Sequence, residues 1–314
     1  MISAGFAASV AQGILMIALA PLFAGVLCKL KARMQRRSGC GLLQPYRDVA
    51  KLFRKAEKVS DSASWLFRAV PYACFGSMAL LSFMTPFMLA EVAAPFGDLV
   101  AMVYVFTLYR FMMVLGGLEG GSVFGGMGSS RETMMSVLIE PSLLLAVMAL
   151  AGLAGGGTDM GGIPGSLIGM GVIVLSPALI LAAASFFITL LAENARIPFD
   201  NPSTHLELTM VHEGMLLEYS GRGLGLMELS SMMRLTIFAS MLCSLFFPWG
   251  IALSPALPDL AAGLASVLLK MLAAMAAIAL IESYLAKYRL FKLPNLLTAS
   301  FALSLLAMIS LYIL

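Results

Sequence analysis

Among the ionisable residues within or at the ends of stretches that are otherwise long and apolar enough to cross a membrane, four are candidates for ion chemistry. At about 1.5 Å per residue, Arg110 and Lys270 fall about 15 Å into their stretches, near the middle of a bilayer. Those two depths are counted from the ends predicted below to be external. Glu140 lies about 10 Å from the end of its stretch that is predicted to be cytoplasmic, and Glu282 directly follows the stretch that holds Lys270, near that same side. Charges in hydrocarbon are costly and tend to be paired or to mark an ion path. A static salt bridge and a proton relay both remain open, and Glu140 is the acidic group nearest in depth to either cation.

A second set of polar side chains is concentrated in one connecting segment, 192–231, in which five carboxylates lie between residues 193 and 218, beside a predicted membrane span. Pro198 ends any helix that continues from that span. Asn201 followed by Pro202 is typical of a helix start, so a short helix is predicted over 202–217. The candidate site residues of this acidic loop are Glu193, Arg196, Asp200, His205, Glu207, His212, Glu213 and Glu218.

The residue types and spacings predict neither a metal site nor a redox centre in the chain. His205 and His212 would stand about 10 Å apart along a helix, which is too far for one ion to bridge. The four cysteines are scattered (Cys28, Cys40, Cys74 and Cys243), whereas iron–sulfur and zinc sites need clustered thiolates. No Ser-His-Asp, Cys-His or paired-carboxylate arrangement of the hydrolases occurs. We therefore expect no cofactor and no catalytic residue in this chain.

Eight apolar stretches are expected to position these side chains as transmembrane helices. They cover 7–27, 69–90, 99–118, 133–154, 167–191, 232–253, 260–281 and 293–314, each about 20 residues long, the length that spans a bilayer. A hydrophobic fraction of 60%, a mean hydropathy of +0.94 and a charged fraction of 12% exclude a soluble domain and a disordered chain. The predicted fold is all-α, a polytopic membrane protein whose residues 1–314 form a single transmembrane domain.

The basic residues of the connections between these stretches occur only in alternate connections. Eleven of the 20 lie in the first connection, 29–68. The third, fifth and seventh connections carry Arg131; Arg196 and Arg222; and Lys287, Arg289 and Lys292. The second, fourth and sixth carry none. Because positive residues stay in the cytoplasm, the odd connections should be cytoplasmic and both termini outside.

The basic first connection is predicted to be an interaction surface. Its density of positive charge suits anionic lipid head groups or an acidic protein partner, and does not by itself indicate nucleic-acid binding. Within it, 46–58 places apolar and charged residues on opposite faces, which is typical of a helix lying flat in the cytoplasmic interface. The candidate docking residues are Arg36, Arg37, Arg47, Asp48 and Lys51.

A glycine-rich run at 116–128, G-G-L-E-G-G-S-V-F-G-G-M-G, follows the third stretch. It lacks the Lys-Ser or Lys-Thr step and the preceding strand of a phosphate-binding loop. Glycines four residues apart, such as Gly116 and Gly120, let helices approach closely, so close packing or a turn is the better interpretation. Glu119 in this run completes the candidate ion-coupling set of Arg110, Glu119, Glu140, Lys270 and Glu282.

Two segments resemble subunit 1 of respiratory NADH-quinone oxidoreductase and its hydrogenase relatives. They are 36–53, R-R-S-G-C-G-L-L-Q-P-Y-R-D-V-A-K-L-F, and 193–200, E-N-A-R-I-P-F-D. The E-Y-S-G element at 218–221 follows at the place expected after the helix predicted over 202–217. The likeness covers essentially the whole chain.

Within that superfamily the chain is similar to the membrane subunits of group 4 nickel–iron hydrogenases, the branch of formate hydrogenlyase and hydrogenase-4. The similar elements are Arg110-Phe, G-L-E-G-G-S-V-F at 117–124, S-R-E at 130–132 and Glu140-Pro. Quinone-reducing members carry a Pro-Glu-x-Glu-x-Glu-Leu run where this chain has P-S-T-H-L-E-L at 202–208. Ser203 and His205 thus replace two carboxylates, which argues against quinone chemistry.

The resemblance implies a membrane-anchoring and redox-coupling subunit of an energy-converting hydrogenase or formate hydrogenlyase in the cytoplasmic membrane of a bacterium or archaeon. The implied partners are hydrogenase large and small subunits, a ferredoxin-like iron–sulfur subunit and antiporter-like membrane subunits. Those partners would hold [4Fe-4S] clusters and, in true hydrogenases, a nickel–iron centre. Two alternatives stay open: a quinone-site subunit of a related complex, and a stand-alone ion transporter, which the lack of an evident inverted repeat disfavours.

Overall fold

The computed structural model of the protein describes residues 2–60, 63–90, 97–169, 176–200, 210–253 and 256–313. Within them the α-helices are α1 (Ile2–Met34), α2 (Gln44–Arg54), α3 (Trp65–Met84), α4 (Leu99–Glu119), α5 (Val123–Leu153), α6 (Gly162–Gly169), α7 (Pro177–Glu193), α8 (His212–Leu216), α9 (Gly221–Met241), α10 (Leu257–Tyr284) and α11 (Leu293–Ile313). A π-helical segment, Leu242–Phe246, continues α9. No strand forms in the described ranges, so the all-α prediction is confirmed.

Seven helices in the described part of the chain are long and apolar enough to cross a membrane. They are Ser9–Met34, Trp65–Met84, Leu99–Glu119, Val123–Leu153, Gly221–Phe246, Pro258–Tyr284 and Leu290–Leu311. The stretch predicted at 167–191 contains the end of α6 and most of α7, a shorter apolar helix of 17 residues, and its residues 170–175 lie outside the described residues. Eight spans and external termini therefore stay predictions.

Two of the spanning helices begin well before the apolar stretches from which they were predicted. The Ser122 hydroxyl accepts a hydrogen bond from the Gly125 amide at 3.0 Å, which satisfies a free N–H group at the start of α5. The helix therefore starts at Val123, although the predicted stretch began at residue 133. Likewise α9 starts at Gly221, while its stretch was predicted from residue 232. These extensions bring polar residues inside the helix bundle.

Close backbone packing supports the structural interpretation of the glycine-rich run. A Cβ atom on Gly128 would lie 2.7 Å from the carbonyl oxygen of Val211, and one on Gly214 would lie 3.2 Å from that of Phe124. Side chains at these positions would push α5 and α8 apart. The run thus holds the short helix of the acidic loop against the start of α5.

Aromatic contacts fix the helices that surround the buried charges. The ring of Phe238 in α9 lies 4.3 Å from that of Phe106 in α4 and 5.9 Å from that of Phe186 in α7, measured between centroids. All three side chains are buried. Offset aromatic pairs of this kind favour one relative orientation of the helices. α11 completes the bundle by packing against α5 and α7, while α10 packs against α1.

Helix α2 forms in the predicted basic segment but ends at Arg54, not at residue 58. None of its residues is buried, and the Tyr46 hydroxyl donates to the carbonyl oxygen of Ala18 in α1 at 2.5 Å. The helix therefore lies along the side of α1 and leaves its basic face exposed. Nearby, Cys28 and Cys40 are joined by a disulfide.

We expect single engineered cysteines at Gly156 or Gly157 to react with an impermeant thiol reagent in intact cells. Cysteines at Arg54 or Arg222 should react only after lysis, because the basic connections are predicted to be cytoplasmic. All four positions are exposed, while the free native residues Cys74 and Cys243 are buried and give little background. Labelling at Arg54 in intact cells would contradict this topology.

Candidate functional site

Three carboxylates from two helices converge on one buried guanidinium, that of Arg110 in α4. Its Nη1 atom lies 3.0 Å from Oε1 of Glu140, and its Nε atom lies 3.3 Å from Oε1 of Glu132. Its Nη2 atom pairs with Oε1 of Glu193, the last residue of α7. Glu132 and Glu140 both belong to α5. These four residues are called the Arg110 cluster below.

The Arg110 cluster contains more carboxylates than guanidinium groups. Glu132 and Glu193 are buried, whereas 36% of the Glu140 side chain is exposed on the outside of the bundle. A guanidinium always carries a single charge, so three ionised carboxylates would leave an excess of negative charge in a medium of low dielectric. The cluster is therefore suited to taking up a proton or another cation, and Glu140 is its member nearest the surface.

A neutral histidine links the Arg110 cluster to a second buried arginine. His212 Nε2 accepts a hydrogen bond from Arg234 Nη1 at 3.0 Å, and its Nδ1 lies 3.5 Å from Oε2 of Glu132. Burial first, and then the charge of Arg234, lower the pKa of His212 from 6.5 to about 3. The neutral ring thus carries its proton on Nδ1, facing Glu132. The Arg234 guanidinium also lies 5.1 Å from the centre of the Tyr109 ring, within cation–π distance.

Further buried carboxylates are paired with cations around the acidic loop. Asp200 Oδ1 lies 2.5 Å from Nζ of Lys287. Glu282 Oε2 lies 3.1 Å from Nζ of Lys31, and its Oε1 lies 3.5 Å from Nη1 of Arg196. These contacts, called the loop ion pairs below, tie the segment after α7 to the ends of α1 and α10. They join parts of the chain that carry the predicted cytoplasmic charges.

A cavity of about 50 Å³ lies beside His212 and Arg234 and reaches Arg196 and Asp200 of the loop ion pairs. Its lining includes Tyr109, Asn194, Arg196, Asp200, His212, Glu213, Glu228, Ser231 and Arg234. Among the described residues, five buried polar atoms of this lining have no hydrogen-bond partner in the protein: Tyr109 Oη, Asn194 Oδ1, Arg196 Nε, His212 Nδ1 and Arg234 Nε. A water molecule needs roughly 10–15 Å³ and two to four polar partners. The cavity therefore has the size and polarity to hold several water molecules.

We expect Glu213→Gln to weaken the pH dependence of stability near neutral pH. Burial first, and then the carboxylates of Glu228 and Asp200, raise the pKa of Glu213 from 4.5 to about 7, while Arg196 opposes this. Between those pH values the folded protein keeps a proton that the unfolded chain has lost, so stability falls as pH rises. The free energy of unfolding should fall by at most about 3 kcal/mol over this range, and partial exposure of the Glu213 side chain makes the fall smaller.

The melting temperature of the purified complex, followed across that pH range, measures this effect. Glu218→Gln serves as the control, because Glu218 lies five residues further along and is exposed. An equally steep fall in the wild type and in Glu213→Gln would contradict the assignment.

The structure pairs Glu140 with Arg110 and not with Lys270. The Lys270 ammonium instead donates to the carbonyl oxygen of Phe247 at 2.7 Å and to that of Trp249. These carbonyl groups follow the π-helical segment, where the regular helical hydrogen bonding of α9 ends. Lys270 therefore lies apart from the Arg110 cluster, although both residues were placed at mid-membrane depth by counting along their stretches.

The other predicted site residues occupy different settings. Glu119 is the last residue of α4 and is half-buried, while Glu218 is exposed beside Gly120. His205 and Glu207, with the first half of the helix predicted over 202–217, lie outside the described residues. The described part of that segment forms α8, which carries His212 and Glu213. No group of three or more His, Cys, Asp or Glu residues in the described ranges is arranged to hold a metal ion.

Sequence reasoning missed two central residues, Glu132 and Arg234. Glu132 directly precedes the stretch predicted from residue 133, and Arg234 is the third residue of the stretch predicted from 232. Hydropathy alone places both residues at the polar ends of predicted spans. Because α5 and α9 start about ten residues earlier than those spans, both side chains are buried inside the bundle. The signal available in the sequence was the charge of Arg234 inside a predicted span.

Known proteins are similar to this chain over nearly its whole length. The family model described as NADH dehydrogenase matches residues 7–313. The chain belongs to the NADH dehydrogenase family. One relative, hydrogenase-4 component C of Escherichia coli (strain K12), is 34% identical over 302 residues, which are 95% of this chain and 93% of that protein.

Two further relatives are similar in sequence to most of this chain. Formate hydrogenlyase subunit 4 of the same organism is 33% identical over 301 residues, 96% of each chain. An NADH-quinone oxidoreductase subunit of Rubrobacter xylanophilus is 29% identical over 229 residues, 69% of this chain and 67% of that protein. The predicted resemblance to hydrogenase membrane subunits, with a weaker likeness to the respiratory enzyme, is confirmed.

A solved structure shares the fold of this family member. A chain of the membrane-bound sulfane sulfur reductase, an archaeal respiratory membrane complex, superposes with a TM-score of 0.83 at 20% identity, covering 98% of this chain and 99% of that one. With the spanning helices, these relationships identify a multi-pass integral membrane protein that resembles subunits of multi-subunit oxidoreductase complexes.

Proposed function

We propose that the chain is the membrane-anchoring and redox-coupling subunit of an energy-converting hydrogenase or formate hydrogenlyase in a bacterial or archaeal cytoplasmic membrane. The observation that carries this proposal is the Arg110 cluster, in which one buried cation is shared by three carboxylates. A purely structural salt bridge needs one acid for one base, so the additional carboxylates point to proton or sodium movement. The two relatives with the highest identity reported above carry the names of such complexes.

The proposed ion path runs from the acidic loop to the side of the bundle. It starts at Glu213 and the loop ion pairs, crosses the polar cavity, and continues through His212 and Glu132 to Arg110. It leaves at Glu140, whose exposed carboxylate would face a neighbouring antiporter-like subunit. A carboxylate that faced lipid would be costly, which favours a polar partner at this position.

The peripheral redox arm is proposed to act on this path through the acidic loop. In this proposal the hydrogenase large and small subunits and a ferredoxin-like subunit hold the [4Fe-4S] clusters and any nickel–iron centre, and this chain holds none. A change of charge on a cluster beside the loop would shift the proton occupancy of Glu213, whose pKa of about 7 lies near physiological pH. The loop would then transmit the redox event to the Arg110 cluster.

The docking surface of the arm is proposed to be the basic first connection. Arg36, Arg37, Arg47 and Lys51 are exposed, and Asp48 is held on α2 by a hydrogen bond from Gln44 at 2.8 Å. Positive charge spread over such an exposed surface steers and orients an acidic partner. Anionic lipid is the other ligand that this charge suits, and the two are separable by experiment.

We expect the triple variant Arg36→Ala, Arg37→Ala, Arg47→Ala to release the peripheral subunits at lower salt than the wild type. Exposed charge pairs are screened as ionic strength rises, so removing three of them lowers the salt at which the arm dissociates. Retention of iron–sulfur subunits on the washed membrane subunit, followed over a salt series, measures the effect.

The matched control is Arg222→Ala, Arg289→Ala, Lys292→Ala, which removes the same charge from exposed positions on the same predicted side. The control should retain the arm as the wild type does. Equal retention in the docking variant and the wild type would contradict docking at this surface.

A further inference from the structure

A wide apolar cleft opens on the side of the bundle, away from the Arg110 cluster. It has a volume of about 650 Å³ and lies between α7 and α10, with the π-helical segment behind it. Small side chains line both walls, namely Ala183 and Ala184 on α7 and Ala273, Ala274 and Ala277 on α10. None of the four residues of the Arg110 cluster lines it, so the proposed ion path leaves this cleft without a role.

The shape of the cleft suits a single flexible chain. A helix is about 10 Å across, so fewer than two turns of one would fill the available volume. The described residues that line the cleft are apolar apart from Lys270, and Ala184 and Ala273 are exposed along the opening. A ligand with a long apolar part and one anionic group therefore fits better than a protein helix.

Lys270 supplies the cation of the cleft. Its ammonium donates to the carbonyl oxygens of Phe247 and Trp249. An ammonium has three N–H groups, so these two contacts leave one for a ligand. The carbonyls hold the ammonium in place, while its positive charge remains available to an anion.

Lys270 lies in the half of the predicted membrane that faces outside, and its side chain extends toward the external interface. Gly263 of α10 packs against the carbonyl oxygen of Met88, just beyond the end of α3 at Met84. Lys270 follows seven residues, or about 10 Å, further along the helix. Its side chain points back toward Trp249, whose ring is 49% exposed. An exposed Trp beside a Lys is typical of the head-group level of a bilayer.

We propose that the cleft binds one anionic phospholipid of the outer leaflet. One acyl chain lies between α7 and α10, and the phosphodiester accepts a hydrogen bond from the Lys270 ammonium. The apolar walls alone would accept any acyl chain, whereas the cation at the rim selects a head group without its own positive charge. This binding is independent of the proposed ion path.

Native mass spectrometry of the whole purified complex tests the proposal, with phosphatidylglycerol and phosphatidylcholine as the added lipids. We expect the wild type to retain phosphatidylglycerol preferentially after a detergent wash. Lys270→Met keeps the side-chain length without the charge, and should weaken phosphatidylglycerol binding about tenfold through loss of a charge-assisted contact.

Ala184→Phe fills the cleft while leaving Lys270 unchanged, and should lower the retention of both lipids. Lys292→Met, at an exposed position on the predicted cytoplasmic side, is the control that should behave as the wild type.

A photoreactive amino acid at Ala273 distinguishes the lipid from a neighbouring subunit. A cross-link to phospholipid supports the proposal, and cross-links to a partner subunit alone would overturn it. Equal phosphatidylglycerol retention in the wild type, Lys270→Met and Ala184→Phe would overturn it as well. Because the readout is bound lipid, these outcomes do not depend on whether the complex moves ions.

Discussion

Replacing Arg110 with Met is expected to prevent stable accumulation of the protein in the membrane. Met keeps part of the side-chain volume but removes the charge, so Glu132 and Glu193 are left buried beside each other without their cation. Removing one partner of a buried ion pair costs about 3–5 kcal/mol, a large part of the roughly 5–15 kcal/mol that stabilises a folded protein. The amount of chain in isolated membranes, and of complex that co-purifies with it, measures the loss.

Two further variants separate charge from packing in this experiment. Adding Glu193→Gln to Arg110→Met removes one uncompensated carboxylate and should restore part of the accumulation. Arg68→Met removes an arginine that is exposed on α3, and should leave accumulation unchanged. Wild-type amounts of Arg110→Met protein would show that the cluster does not hold the bundle together.

Glu140→Gln is expected to leave the complex assembled and to reduce coupled turnover by an order of magnitude or more. Glutamine keeps the size and hydrogen bonding of glutamate but cannot exchange a proton. Arg110 keeps Glu132 and Glu193 as counter-ions, so the charge of its guanidinium stays compensated. Assembly on a native gel and hydrogen production or uptake by the same membranes measure the two effects.

The opposite result has an equally clear meaning. If Glu140 were only one of three structural counter-ions, Glu140→Gln would assemble on the remaining pairs of Arg110 with Glu132 and Glu193 and would turn over normally. Glu57→Gln, at an exposed position in the first connection, is the control for a neutralised carboxylate and should resemble the wild type in both assays. Wild-type assembly combined with wild-type turnover in Glu140→Gln would rule out the relay role.

Much of the architecture could be predicted from the sequence because apolar runs of spanning length leave a clear signal. Glu140 could also be predicted as a partner for a buried cation, since only a few charges lie inside such runs, but the sequence did not decide between Arg110 and Lys270. Helix starts were harder, because capping by Ser122 extends α5 through residues that are not strongly apolar. The burial of Glu132 and Arg234 follows from those extensions and could not be read from hydropathy alone.

Contacts between residues that are far apart in the sequence could not be predicted from it. Arg110 and Glu193 are 83 positions apart, and no spacing rule relates residues on different helices. Lys270 illustrates the same limit, since counting along its own helix gave the depth of its backbone but neither the direction of its side chain nor the carbonyl groups that hold it. The cavity beside His212 likewise depends on how α8 packs against α9, which the sequence leaves open.

Ion uptake into proteoliposomes that contain the whole complex tests the coupling role most directly. Uptake should be measured during redox turnover, in the wild type and in Glu140→Gln, with a pH-sensitive dye for protons and a tracer for sodium. If the Arg110 cluster carries the ion path, the ions moved per electron pair should fall sharply in Glu140→Gln while the peripheral arm stays bound. Unchanged ion movement per electron pair in Glu140→Gln would contradict the proposed path through the Arg110 cluster.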